Sequence, residues 1–127
     1  MKKVLIFLFI AGVYYWYQHY YVSGKFNVYL EKHPDSEKCQ LVEFFIGKLN
    51  YWAMRYDSAI FRFERVIDIY SSEKYKPKSY FTIAEIYNKT SKINEAVEMY
   101  KFIQQKYPNT YFAEVATKRL ELLQSLK

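Results

Sequence analysis

The sequence has one cysteine, three glycines and three prolines in 127 residues. A single cysteine excludes a framework of intrachain disulfides. So few turn-forming residues disfavour a β-rich fold and long irregular loops. Aromatic residues, by contrast, make up 21% of the chain, with 15 tyrosines and 10 phenylalanines. Many packing side chains and few chain breakers predict an all-α protein.

Groups that carry catalysis or bind metals are also scarce. Two histidines and one cysteine cannot build a four-ligand metal site without several carboxylates. The sequence contains no nucleophile motif and no glycine-rich phosphate loop. The net charge of +6 is spread over the chain without a nucleic-acid-binding motif. We therefore expect no enzyme, no catalytic, cofactor-binding or metal-binding residues, no cofactor and no nucleic-acid partner.

The amino-terminal segment has the order charge, apolar run, aromatic belt. Two lysines precede an uncharged run over residues 4–13, and aromatic residues dominate the next nine positions. As a helix, residues 4–22 would be about 28 Å long, close to the thickness of the bilayer hydrocarbon. Large aromatic residues at the cleavage position argue against removal of the segment. The lysines favour a cytoplasmic amino terminus.

This pattern predicts a membrane anchor of the uncleaved signal-anchor type over residues 1–22 and a helical repeat domain over residues 23–127. The chain would be a single-pass protein of the inner, cytoplasmic membrane whose repeat domain lies in the periplasm. Two alternatives stay open: a signal peptide cut near Ser23 and Gly24, or an amphipathic surface anchor.

An internal repeat with a period of 37 residues occupies the rest of the chain, and such periods are typical of stacked helical units. The matching pairs are Gly47 and Ala84, Ala59 and Ala96, and Phe63 and Tyr100. Apolar spacing predicts two antiparallel helix pairs, 35–51 with 56–70 and 80–87 with 93–107. A helix over 112–126 would cap the solenoid, because Glu121 replaces the small residue of the repeat.

The order of small and aromatic residues in the second repeat resembles the tetratricopeptide repeat family. Ala84, Tyr87, Ala96, Tyr100 and Pro108 carry this resemblance. The junction over residues 105–113 is similar to that of the membrane-anchored envelope members BamD, CpoB and YfgM. The resemblance implies a solenoid that binds protein or peptide partners, here other envelope proteins, on the inner face of its first helices.

On that face the resemblance implies a partner-binding set of aromatic and charged residues, a mixture that suits an extended or helical peptide. The set is Phe44, Lys48, Tyr51, Lys78, Phe81, Glu85, Asn88 and Lys118. The alternative interpretation is that Phe44 and Phe81 complete the core, because aromatic residues at helical spacing are usually core residues.

Together these features predict a membrane-anchored adaptor or scaffold that organises proteins of the cell envelope. A second hypothesis is a structural subunit of a larger membrane protein complex, in which Glu43 and Asn50, polar at repeat positions that are usually apolar, would face a neighbour. An envelope enzyme such as a transglycosylase would lack its acid and its pocket. In a eukaryotic cell the same layout would suit an organelle receptor with a cytosolic repeat domain.

Overall fold

The computed structural model describes residues 1–126 and contains seven α-helices and one short π-helical segment in that range. The α-helices are α1 (Lys2–Trp16), α2 (Lys25–Glu31), α3 (Glu37–Trp52), α4 (Tyr56–Asp68), α5 (Lys76–Lys89), α6 (Ile93–Lys106) and α7 (Tyr111–Ser125), and the π-helical segment is Tyr17–Val22. The all-helical part of the predicted fold is therefore observed. Lys127, the last residue of the predicted repeat domain, lies outside the described residues.

The chain divides into two compact units, Met1–Pro34 and the part from Asp35 onwards. The first unit holds α1, the π-helical segment and α2. Gly24 precedes α2 with a φ of 81°, a left-handed conformation that glycine adopts without steric strain. The rings of Trp16 and Phe26 meet edge to face, with their centroids 5.8 Å apart, across this bend.

The predicted transmembrane helix is wrong. No helix among residues 1–126 combines the length and the apolar character that crossing a membrane requires. The α-helix ends at Trp16 after 15 residues, a length of about 22 Å at 1.5 Å per residue, short of a bilayer core of about 30 Å. The following segment is π-helical and carries Gln18 and His19 among its tyrosines. The predicted single-pass location in the inner membrane, with a periplasmic repeat domain, is wrong for the same reason.

The second unit consists of two helix pairs, α3 with α4 and α5 with α6, followed by α7. Each predicted helix of this region is present within a few residues of its expected ends. Ser36 caps α3, because its side-chain oxygen accepts a hydrogen bond from the Cys39 amide at 3.2 Å. Thr110 caps α7 in the same way through the Ala113 amide.

The period of 37 residues is visible in the backbone as well as in the sequence. Met54 and Ser91, 37 residues apart, close the turn of each helix pair with φ angles of 59° and 64°. One residue later, the amides of Arg55 and Lys92 each donate a hydrogen bond of 2.8 Å to a carbonyl five residues back. Both pairs therefore end their first helix with the same turn.

Small residues allow the helices of a pair to approach closely. A Cβ atom added to Gly47 would lie 2.8 Å from Cε1 of Phe63, whose ring is fully buried. Ala59, Ala84 and Ala96 are also fully buried. Two apolar clusters result, one among α3, α4 and α5 and one among α5, α6 and α7. The small residues that the repeat pairs by position therefore lie buried between the helices.

A charged triad lies inside the first pair. The Glu43 carboxylate accepts hydrogen bonds from Nη1 of Arg62 at 2.8 Å and from Nε of Arg65 at 2.7 Å. Glu43 has no exposed surface, and the two arginines are at most a tenth exposed. Glu43, which is polar at a usually apolar repeat position, therefore pairs with two arginines of α4 instead of facing a neighbouring protein. Asn50 donates to the Ile46 carbonyl of its own helix.

Candidate peptide-binding groove

A groove of about 250 Å³ lies on the second unit, where α3, α5 and α7 each present one face. We call it the lysine groove. It is lined by Lys48, Tyr51, Lys78, Phe81, Thr82, Glu85, Tyr111, Phe112 and Arg119. Five of these residues, Lys48, Tyr51, Lys78, Phe81 and Glu85, belong to the partner-binding set expected from the sequence. The helical repeat thus brings residues up to 71 positions apart, Lys48 and Arg119, onto one surface.

Two lysines supply the positive charge of the groove. Nζ of Lys48 lies 5.3 Å from the ring centroid of Tyr51, and Nζ of Lys78 lies 5.6 Å from that of Phe44. The ion pairs of lysine among residues 1–126 are Lys76 with Glu73 and Lys118 with Glu114, so neither groove lysine has a carboxylate partner there. Partial burial, and then repulsion from Lys78, lower the pKa of Lys48. A bound anion would relieve that repulsion.

The third cation of the groove is neutralised within the protein. Nε of Arg119 donates to Oε1 of Glu85 at 2.8 Å, and the Tyr100 hydroxyl donates to the same oxygen at 2.9 Å. Burial, and then the charge of Glu85, raise the pKa of the Tyr100 phenol. These bonds join α5, α6 and α7 at the edge of the groove. Glu85 therefore acts here as an internal partner, and Lys48 and Lys78 remain for an external one.

Aromatic rings line the groove between the charges. Phe81 packs against Phe112 with a centroid separation of 5.6 Å and against Tyr100 at 6.2 Å. Tyr111 is 70% exposed, while Phe81 and Phe112 are partly buried. The groove thus offers exposed ring surface beside two lysine ammonium groups.

Three residues of the expected set do not line the groove. Phe44 is buried in the core, where its ring contacts Phe63 and Tyr75. Asn88 is partly buried on α5 and does not line the groove. Lys118 lies on the exposed side of α7 and pairs with Glu114 at 3.5 Å. The alternative interpretation of a core aromatic therefore describes Phe44, whereas Phe81 lies both against the core and in the groove.

Four lining residues were missed, namely Thr82, Tyr111, Phe112 and Arg119. Thr82 and Arg119 are 37 residues apart, so the repeat itself marks them as equivalent. The expected set used instead the repeat position one residue earlier, which Phe44, Phe81 and Lys118 share. A shift of one residue turns a helical side chain by about 100°, which separates Arg119 from Lys118.

Residues 78–110 match the family model described as tetratricopeptide repeat, and this range covers α5 and α6. The chain is also similar to a protein of Aquifex aeolicus (strain VF5) described as an uncharacterized protein, with 29% identity over 106 residues. That similarity covers 81% of this chain, and the chain spans about 60% of the relative's length. Tetratricopeptide repeats generally bind protein partners and are typically scaffolds without catalytic activity. The helix pair α5 with α6 therefore matches a tetratricopeptide repeat.

Proposed function

We propose that the protein is an adaptor whose lysine groove binds an acidic segment of a partner protein, with an aromatic or aliphatic side chain seated against Phe81, Tyr111 and Phe112. The observation that carries this proposal is the pair of groove lysines without a carboxylate partner, set between aromatic rings. An acidic residue of the partner would form an ion pair with Lys48 or Lys78, as Glu85 does with Arg119.

The proposal is specific about charge. Glu85 is the one carboxylate among the lining residues, and its oxygen is already shared by Arg119 and Tyr100. A basic segment would meet two lysines and find no unshared carboxylate in the lining. An uncharged segment would leave the repulsion between Lys48 and Lys78 in place.

A selection of random dodecapeptides displayed on phage, carried out on the full chain, tests this function. We expect one class of enriched peptides to carry Asp or Glu next to an aromatic or aliphatic residue. The double variant Lys48→Glu, Lys78→Glu should weaken that class by at least about tenfold, because two attractive charges become repulsive. Lys118→Glu is the matched control, since it also reverses a lysine but lies outside the groove.

The absence of an acidic class would contradict the proposal. Equal weakening by the groove variant and by Lys118→Glu would contradict it as well, because the peptides would then respond to net charge alone.

The exposed apolar residues of α1 favour a second candidate function, a permanent subunit of a larger assembly. Large apolar residues from Val4 to Val13 are each more than half exposed in the chain. A helix that is apolar around its whole circumference is typical of a buried helix. Purification of the full chain from its own source in high salt tests this candidate: a stable complex of fixed stoichiometry is expected, and release of the free chain would contradict it.

A further inference from the structure

A second groove, of about 470 Å³, lies between α5 and α6. We call it the tyrosine groove. Its lining residues are Tyr80, Tyr87, Glu95, Glu98, Met99 and Phe102. Tyr80 and Tyr87 are seven residues apart on α5. At about 100° per residue they point about 100–180° away from Lys78, Phe81 and Glu85, so the two grooves lie on different faces of the same helix.

The floor of the tyrosine groove is aromatic and partly open. The rings of Tyr80 and Phe102 are packed with centroids 4.8 Å apart, and Tyr107 contacts Tyr80 at 6.1 Å. Phe102 remains 37% exposed despite these contacts. The alkyl chain of Lys106 leads its Nζ to within 5.5 Å of the Phe102 ring centroid. Exposed ring surface in a concave site is the usual anchor of a protein interface.

The rim of this groove is acidic. Glu95 and Glu98 line it, and α4 adds the exposed carboxylates of Glu64 and Asp68 beside it. Burial, and then the charge of Glu64, raise the pKa of Tyr87; burial, and then the charge of Asp68, raise that of Tyr80.

None of these four carboxylates forms an ion pair with a residue of the described range 1–126. Lys92 and Lys106 also border the groove, but their Nζ atoms lie over the rings of Tyr87 and Phe102. The rim therefore keeps an excess of negative charge.

Comparison of the two repeats shows that the fold does not require this aromatic floor. The positions of Tyr80, Met99 and Phe102 correspond, 37 residues earlier, to Glu43, Arg62 and Arg65. In the first repeat these positions form the buried charged triad. The charged triad joins α3 to α4, and the aromatic contact of Tyr80 with Phe102 joins α5 to α6. Because ionic and aromatic residues serve the same packing, the exposed rings of the second repeat leave an additional role to be explained.

We infer that the tyrosine groove is a second interaction surface, which binds a basic segment of a partner protein by seating an aromatic or aliphatic side chain against Tyr80 and Phe102 and placing lysines or arginines beside Glu95 and Glu98. Charge complementarity identifies this occupant, since an acidic segment would be repelled by the four carboxylates of the rim. The protein would then connect two partners of opposite charge across α5.

The phage selection on the full chain tests this inference through a different class of peptides. We expect a basic class carrying Lys or Arg next to an aromatic or aliphatic residue. Synthetic peptides of this class should bind Glu98→Lys at least about tenfold more weakly than the unaltered chain. Glu121→Lys, the same charge change at an exposed position of α7, should leave their affinity within about twofold.

Phe102→Ala tests the aromatic floor and should weaken the same peptides, provided that its helical signal matches that of the unaltered chain. Absence of a basic class, or equal affinity for Glu98→Lys and Glu121→Lys, would overturn the inference. Sedimentation velocity addresses the other occupant: self-association that Glu98→Lys abolishes would assign the groove to a second copy of this chain and would also overturn it.

Discussion

The Glu85 carboxylate on α5 accepts a hydrogen bond from Nε of Arg119 on α7, 34 residues later, at 2.8 Å. This bond fixes the charge pattern of the lysine groove. It neutralises Arg119 and leaves Lys48 and Lys78 as the two cations of the groove that have no carboxylate partner among the described residues. It also ties the last helix to the second helix pair.

Removal of the Glu85 charge should therefore have two opposite effects. Glu85→Gln should lower the free energy of unfolding by about 1 kcal/mol, because a partly exposed ion pair becomes a neutral hydrogen bond. The same change should strengthen binding of acidic peptides about fivefold, because one repulsive charge leaves the groove. Urea denaturation and peptide titration measure the two effects. Tighter binding by Glu121→Gln, an equal charge change outside the groove, would contradict this account.

The charged triad of the first repeat should be replaceable by the residues of the second. Glu43→Ala should destabilise the protein by about 3–5 kcal/mol, because two largely buried arginines lose their shared carboxylate. The triple variant Glu43→Tyr, Arg62→Met, Arg65→Phe should recover most of that loss, because buried ion pairs can be exchanged for packed apolar residues. Urea denaturation compares the variants. A triple variant no more stable than Glu43→Ala would show that the repeats are not interchangeable here.

Gly47 should not tolerate a side chain. Gly47→Ala should destabilise the protein by about 1–3 kcal/mol, because the new Cβ would lie 2.8 Å from the buried Phe63 ring. In a Phe63→Leu background, Gly47→Ala should lower the free energy of unfolding by less, because the ring that the new Cβ would contact is absent. Gly12→Ala is the matched control, because no atom lies within 4 Å of its added Cβ. Equal thermal stability of Gly47→Ala and the unaltered chain would refute the close helix approach.

Stability should fall as the pH rises above about 10, the ordinary pKa of tyrosine. Burial is the main cause that raises the pKa values of Tyr70, Tyr100 and Tyr107 in the folded protein. The unfolded chain releases these phenolic protons near pH 10 while the folded chain still holds them, so the folded state loses relative stability in that range.

Unfolding in urea from about pH 9 to about pH 11 measures this slope. Lysines titrate in the same window, so the informative quantity is the difference between variants. Tyr100→Phe should reduce the slope, and Tyr111→Phe, which alters a 70% exposed ring, should leave it unchanged. A slope unaffected by Tyr100→Phe would contradict the predicted role of that phenol.

The repeat region could be predicted well because its signals are local and periodic. Apolar spacing located α3 to α7, because the residues on one face of a helix recur three or four positions apart. Gly47 could be matched to Ala84 because the two small residues share a repeat position.

The remaining features depend on geometry that the sequence does not carry. Composition gave no sign that the α-helix would end at Trp16 and continue as a π-helical segment, which removed the predicted membrane span. Glu43 could not be paired in advance with Arg62 and Arg65, because its partners lie on the next helix. The side chains of Lys118 and Arg119 differ in direction by about 100° around α7. For this reason Arg119 lines the groove and Lys118 does not.

The most direct test of the adaptor function is photo-crosslinking of a selected acidic peptide to the full chain with p-benzoylphenylalanine in place of Tyr111, an exposed ring of the lysine groove. The same probe in place of Phe102, in the tyrosine groove, is the matched control. We expect the peptide to be labelled from position 111, and labelling to disappear in the Lys48→Glu, Lys78→Glu background. Labelling from position 102 instead, or labelling from position 111 that the double variant leaves unchanged, would contradict the assignment of the lysine groove as the partner site.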